Sequence, residues 1–171
     1  MAHLTTAVVV GNPKPGSRTL AAARRLADEL GHPAELVVDL ADLCPALLDW
    51  SDPTVAELVA QVGQADLVVV ASPTYKGAYT GLLKLFLDRF AGGTGLTGVA
   101  IPLMLGGSAA HSLAPELTLR PVLTELGATI PGRGLYVLDS AFDAPAVCAE
   151  WLAVNRVWVD ALLDARAAAV S

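Results

Sequence analysis

Thr6-Ala-Val-Val-Val10, Asp66-Leu-Val-Val-Val-Ala71 and Val99–Leu105 run apolar with almost no interruption. A strand with one wet face alternates apolar and polar residues. A run that does not alternate needs cover on both faces, which is the situation in a parallel sheet between layers of helices. The intervening segments supply the cover. Ser17–Leu30 places Leu20, Ala23, Ala27 and Leu30 on one stripe and stops at Gly31. Asp52-Pro-Thr-Val opens a helix to about Gln64, with Asp52 as N-cap and Pro53 at the first helical position. Further helices are expected from about Gly77 to Phe90, from about Ala110 to Leu126 and over Ala144–Ala169, with strands at Glu35–Leu40 and Gly134–Leu138. The order β-α-β-α-β-α-β-α-β-α predicts an α/β fold with a five-stranded parallel sheet and helices on both faces. With 171 residues, 54% of them hydrophobic, the chain has material for one such domain over 1–171 and none for a second of similar size.

Ligands of open parallel sheets bind beyond the carboxyl ends of the strands. That rule selects three loops. The first, Gly11-Asn-Pro-Lys-Pro-Gly-Ser-Arg-Thr19, leads from a buried strand into a helix. Backbone N–H groups and the positive helix end converge there on a place for a phosphate, and Asn12, Lys14, Ser17, Arg18 and Thr19 add donors and charge. It matches neither GxxxxGK[ST] nor GxGxxG, which argues against ATP or a conventionally bound dinucleotide and for a single phosphate monoester. The second, Ser72-Pro-Thr-Tyr-Lys-Gly-Ala-Tyr-Thr-Gly81, offers a hydroxyl, an aromatic face, N–H groups and a cation from Pro73, Thr74, Tyr75 and Lys76, a mixture suited to a flat heteroaromatic ring. In the third, Leu105-Gly-Gly-Ser-Ala-Ala-His111, Gly106 and Gly107 permit close backbone approach and Ser108 is placed to cap a helix. His111 taken alone reads as a structural or capping residue rather than a catalytic acid.

Other chemistries find no support. Asp and Glu outnumber Lys and Arg 17 to 11, a net charge of −6, so no basic field exists for nucleic acid. No run approaches the ~20 apolar residues of a membrane span, and Met1-Ala-His-Leu-Thr-Thr-Ala lacks the features of a signal peptide, so a cytoplasmic protein is expected. Cys44 and Cys148 form no CxxC pair, give no metal spacing with three scattered His, and are expected to be ordinary buried residues. No nucleophile elbow accompanies a Ser-His-Asp set.

Taken together, the three loop motifs resemble the NADPH-dependent FMN reductases of flavodoxin-like fold, in particular those that supply reduced FMN to alkanesulfonate monooxygenases. The resemblance covers residues 6 to about 140. It implies a three-layer sandwich with strand order 2-1-3-4-5, FMN as cofactor, NADPH or NADH as reductant, a flavin-dependent monooxygenase as one recipient, and a homodimer or homotetramer. It also implies that Asn12, Lys14, Ser17, Arg18 and Thr19 surround the FMN phosphate. Pro73, Thr74, Tyr75 and Lys76 would follow the ring, and Gly106, Gly107 and Ser108 would border its other end with His111 close behind. Two other readings compete with the enzyme: a non-enzymatic flavodoxin-type electron carrier, and a doubly wound ligand-binding domain without flavin.

One departure concerns Leu117, where the alkanesulfonate branch carries a Tyr inserted in a π-bulge that bears on assembly and flavin hand-over. The local sequence is irregular in its own right. Leu113 and Leu117 face nearly opposite to Leu119, Leu123 and Leu126 on a regular helix, and Pro121 lacks the N–H that would meet the Leu117 carbonyl. A kink or bulge between Leu117 and Pro121 is expected. In the preceding helix Tyr79, Leu82, Leu83, Phe86 and Phe90 form the expected core stripe and Leu85 lies opposite, a position compatible with a subunit contact.

Overall fold

The computed structural model describes residues 4–144 and 146–170. Five strands, β1 (Thr6–Val10), β2 (Leu36–Asp39), β3 (Leu67–Pro73), β4 (Val99–Gly106) and β5 (Leu135–Leu138), form one sheet in the order β2-β1-β3-β4-β5. Every pairing is parallel. The helices are α1 (Arg18–Leu30), α2 (Pro53–Gln64), α3 (Gly81–Leu87), α4 (Arg120–Glu125) and α5 (Ala149–Val170). The expected fold and strand order are therefore observed.

The unbroken apolar strands explain the layering. Side chains of a strand alternate between faces, so Ala7 and Val9 join a cluster with Val55, Leu83, Phe86 and Leu123 from α2, α3 and α4. Val8 and Val10 join a cluster with Ala23, Leu26, Trp151 and Val159 from α1 and α5. All residues of β1, β3 and β4 are buried. The caps follow the local sequence. Ser17 Oγ accepts from Leu20 N–H (3.3 Å), Asp52 Oδ1 accepts from Val55 N–H (2.9 Å), and Gly31 ends α1 at φ 87°.

Four expectations need correction. The helix expected over Gly77–Phe90 is confined to Gly81–Leu87, because Lys76 (φ 54°) and Gly77 (φ 80°) make a tight turn and Thr80 caps the helix after it. The single helix expected from Ala110 to Leu126 is a short 3₁₀ turn (Ala109–His111), a π-helical turn (Pro115–Leu119) and α4. The last helix begins at Ala149 rather than Ala144; of that expected span, Pro145 lies outside the described residues, as do Met1 to His3 of the N-terminal stretch. Cys148 is buried, and desolvation pushes its thiol up to about 11, but Cys44 is exposed, so the expectation of two buried cysteines holds for one.

The kink or bulge expected between Leu117 and Pro121 is a π turn that begins slightly earlier, over Pro115–Leu119, in which Arg120 N–H reaches back to the Pro115 carbonyl. Pro121 cannot serve the Leu117 carbonyl, and across the turn Leu119 and Leu123 are buried while Leu113 and Leu117 are exposed. The turn forms here around Leu117, without a tyrosine. Leu85 is exposed opposite the core face of α3, as expected. Leu83, Phe86 and Phe90 of its stripe are buried, and Tyr79 and Leu82 are half-buried.

Candidate functional site: three loops at one sheet edge

The strand order reverses between β1 and β3, and the residues that leave β1, β3 and β4 meet at that switch point. Side chains and backbone lock the exits together. Gly11 N–H donates to the Ala71 carbonyl (2.8 Å) and Thr74 N–H to the Leu105 carbonyl (2.6 Å). Buried Thr80 connects the first loop to α3: its hydroxyl donates to the Gly11 carbonyl (2.5 Å) and accepts from Leu83 N–H (3.1 Å). Buried Ser72 accepts from Thr80 N–H (3.0 Å) and donates to the Pro73 carbonyl (2.8 Å).

In the first loop, Asn12 Nδ2 donates to Thr19 Oγ1 (3.0 Å) and Asn12 Oδ1 accepts from Lys14 N–H (2.9 Å). Asn12 thus sets the loop's shape, and Ser17 is spent on capping α1. Among the described residues, none accepts from the N–H groups of Ser17, Arg18 or Thr19. Lys14 is exposed. Arg18 reaches sideways: its Nη1 donates to the Asp139 carbonyl (3.3 Å), and its guanidinium lies 5.8 Å from the centroid of Phe142. Arg18 therefore stands at the loop's rim, tied to the segment after β5.

In the second loop, Tyr75 and Ala78 exchange backbone hydrogen bonds (2.9 and 3.1 Å) around Lys76 and Gly77. Two central residues at positive φ make this a two-residue hairpin turn of the I′ kind, a position that favours Asn-Gly over Lys-Gly. Lys76 in the left-handed region is a local strain at the edge of the site. K76N is expected to stabilise the fold by about 1 kcal/mol, read as a higher denaturant midpoint at constant slope; an unchanged midpoint would contradict the strain. Tyr75 and Lys76 are exposed on the turn, and Pro73 is buried as the last residue of β3.

In the third loop, Ser108 Oγ caps the following turn through Ala110 N–H (3.2 Å), as expected, and His111 is exposed within that turn. Gly106 is required for space: a Cβ there would lie 2.1 Å from the Tyr136 hydroxyl and 3.2 Å from Thr74 Cβ. Gly107 faces open space. Tyr136, from β5, carries no sequence motif and was not expected in the site. Its hydroxyl donates to the Ser108 carbonyl (2.7 Å), and burial pushes the phenol above its ordinary range, so it stays protonated near neutral pH. Thr80, Ser72 and Tyr136 hold the three loops, yet only Thr80 carries a usable signal, a hydroxyl placed directly before an apolar helical run.

Unpartnered N–H groups at a helix start, a hydroxyl-bearing turn and a glycine loop thus stand together at the switch point of a flavodoxin-like sheet. Residues 4–143 match the family described as NADPH-dependent FMN reductase, and the chain belongs to that family. It is 39% identical to the FMN reductase (NADPH) of Escherichia coli K12 over 91 residues, 53% of this chain and 48% of that protein. It is 34% identical to the NADH-dependent FMN reductase SfnF of Pseudomonas putida over 146 residues, 80% of this chain and 78% of SfnF. The match therefore spans about half the length of some of these curated relatives and most of others. The fold superposes on the apo form of the NADH:FMN oxidoreductase EmoB with a TM-score of 0.80 at 29% identity, covering 95% of this chain and 90% of that one.

The residues present fit FMN. The open N–H groups of Ser17, Arg18 and Thr19 suit a phosphate monoester. The buried Thr74 hydroxyl lies beside the Tyr136 phenol and, alone among the buried side-chain polar atoms of the described residues, makes no hydrogen bond of good geometry. Among the described residues no cluster of His, Cys, Asp or Glu could hold a metal, and no helix is long and apolar enough to cross a membrane.

Proposed function

We propose that this chain is an NAD(P)H-dependent FMN reductase. The observation that carries the reading is the set of open N–H groups of Ser17, Arg18 and Thr19 on the same sheet edge as the hairpin around Lys76 and the loop at Gly106. In this reading Asn12, Lys14, Ser17, Arg18 and Thr19 hold the phosphate, with Asn12 and Thr19 shaping the loop and Arg18 and Lys14 supplying charge. Pro73, Thr74, Tyr75 and Lys76 line one side of the ring; Gly106, Gly107 and Ser108 border the other, with His111 at the rim. Bound FMN supplies the hydride-accepting chemistry. The protein's contribution is to orient the ring and to leave one face open for a nicotinamide. Relatives are named for both NADPH and NADH.

The test is NAD(P)H oxidation by the purified protein with added FMN and no other protein. Flavin-dependent turnover is expected. FMN binding without turnover would favour the electron-carrier reading, and a protein that binds no FMN would exclude both. Transfer of reduced flavin to a flavin-dependent monooxygenase is part of this proposal, as is assembly into a homodimer or homotetramer. The latter is supported by exposed Leu85, Leu113 and Leu117, the last 70% accessible in the single chain.

A further inference from the structure

Asp39 ends β2 beside Val10 of β1, and its carboxylate turns toward the first loop. Oδ2 accepts from Gly16 N–H at 3.0 Å, while Oδ1 lies 3.5 Å from Ala41 N–H at the start of the following 3₁₀ turn. Gly16 directly precedes the three open N–H groups of Ser17, Arg18 and Thr19. A carboxylate thus occupies one donor of the loop that the flavin-reductase reading assigns to a phosphate, and it leaves a negative charge at the edge of that position.

Loop shape alone does not call for this charge. Within the same loop the neutral amide oxygen of Asn12 accepts from Lys14 N–H, so an uncharged oxygen suffices as a side-chain acceptor there. Nor is the charge neutralised locally among the described residues. Arg18 is engaged with the Asp139 carbonyl and Phe142, and no ion pair joins Asp39 to Lys14 or Arg18. Two unit charges a few ångströms apart at a wet surface interact by roughly 1 kcal/mol, and a phosphate monoester near neutral pH carries nearly two.

We propose that Asp39 weakens the grip on the phosphate, by competing for Gly16 N–H and by repelling the dianion, and so sets how tightly phosphorylated flavin is held and how fast it leaves. This rests on the FMN-reductase reading. It deepens that reading by assigning Asp39 as the residue that sets flavin affinity and release. The effect is confined to phosphorylated flavin, since riboflavin presents no charge to the loop.

The test compares wild type with D39N, which keeps the side chain's size and an oxygen acceptor for Gly16 N–H but removes the charge. Flavin-fluorescence titrations with FMN and with riboflavin, at low and at high salt, give four dissociation constants for each protein. D39N is expected to bind FMN about tenfold more tightly at low salt, to lose much of that gain at high salt, and to bind riboflavin unchanged. Stopped-flow dilution should show slower FMN dissociation. FMN affinity that is unchanged or weaker in D39N would overturn the proposal, and so would an equal gain for riboflavin. If D39N fails to fold, seen as loss of riboflavin binding, D39S supplies a shorter neutral acceptor for the same comparison. A wild-type protein that binds neither flavin would defeat the reductase reading itself; a wild type that binds FMN while the neutral variants gain nothing would defeat this inference alone.

Discussion

Replacing Gly11 with alanine is expected to destabilise the protein by about 3 kcal/mol, at the upper end of ordinary overpacking, and to abolish binding of FMN and riboflavin together. A Cβ at Gly11 would stand 2.4 Å from Leu83 Cβ and 3.2 Å from Leu83 Cα. Those atoms belong to the rigid part of α3 and cannot swing aside as a side-chain tip can, so α3 has to retreat from β1. The retreat breaks the Thr80 hydrogen bond to the Gly11 carbonyl and loosens the Thr80 link to Ser72, which are the contacts that fix the first loop against the second. Denaturant unfolding measures the stability and fluorescence titration the binding. Wild-type values for both would show that α3 yields without consequence and that its contact with Gly11 does not hold the site.

The second large effect is selective. R18A is expected to weaken FMN by roughly 10–100-fold, the range for loss of a charge-assisted hydrogen bond to a phosphate, while riboflavin binding changes little. Stability should change by less than about 1 kcal/mol, because the present contacts of Arg18, an exposed 3.3 Å bond to a carbonyl and a 5.8 Å contact with the ring of half-buried Phe142, are weak ones. Parallel titrations with the two flavins decide the matter. Equal losses for both would remove Arg18 from the phosphate role and leave it as a tie between α1 and the segment after β5. G11A and R18A are therefore distinguishable in kind: the first removes the site, the second removes one charge from it.

Much of the architecture is legible in the sequence. Thr6–Val10, Asp66–Ala71 and Val99–Leu105 are apolar runs that ask for cover on both faces, as in a parallel sheet between helices, and Asp52, Pro53 and Gly31 mark helix boundaries by local chemistry. The disturbance near Leu117 was legible too, because Pro121 removes a specific N–H and the leucines change face there. The errors arose where a pattern had two physical meanings. Tyr79, Leu82 and Leu83 have helical spacing, yet Lys76 and Gly77 take positive φ and delay the helix to Gly81. Lysine gives no warning of a left-handed conformation, since it adopts one only when its surroundings impose it. Cys44 has the composition of a core residue yet sits exposed in the segment after β2, its thiol donating to the Leu40 carbonyl (3.7 Å) while Leu40 and Leu47 are buried.

The candidate site divides in the same way. Its three loops were found because each is a contiguous motif at the end of a buried strand. Tyr136 and Asp39 were not found, because neither carries a local pattern. Each enters the site through a contact with a residue far away in the chain, Ser108 for Tyr136 and Gly16 for Asp39. Local covalent chemistry, the periodicity of apolar residues and the conformational limits of Gly and Pro act over a few residues, so the amino-acid sequence by itself determined the strands, most helix caps, the parallel sheet and the loops that carry donors. Which donors remain open, which are already taken, and where Arg18 and Asp39 place their charges depend on contacts between segments brought together by strand pairing. Those were decided by the tertiary structure alone, because a hydrogen bond spanning 23 or 28 residues has no signature at either end until the sheet has formed.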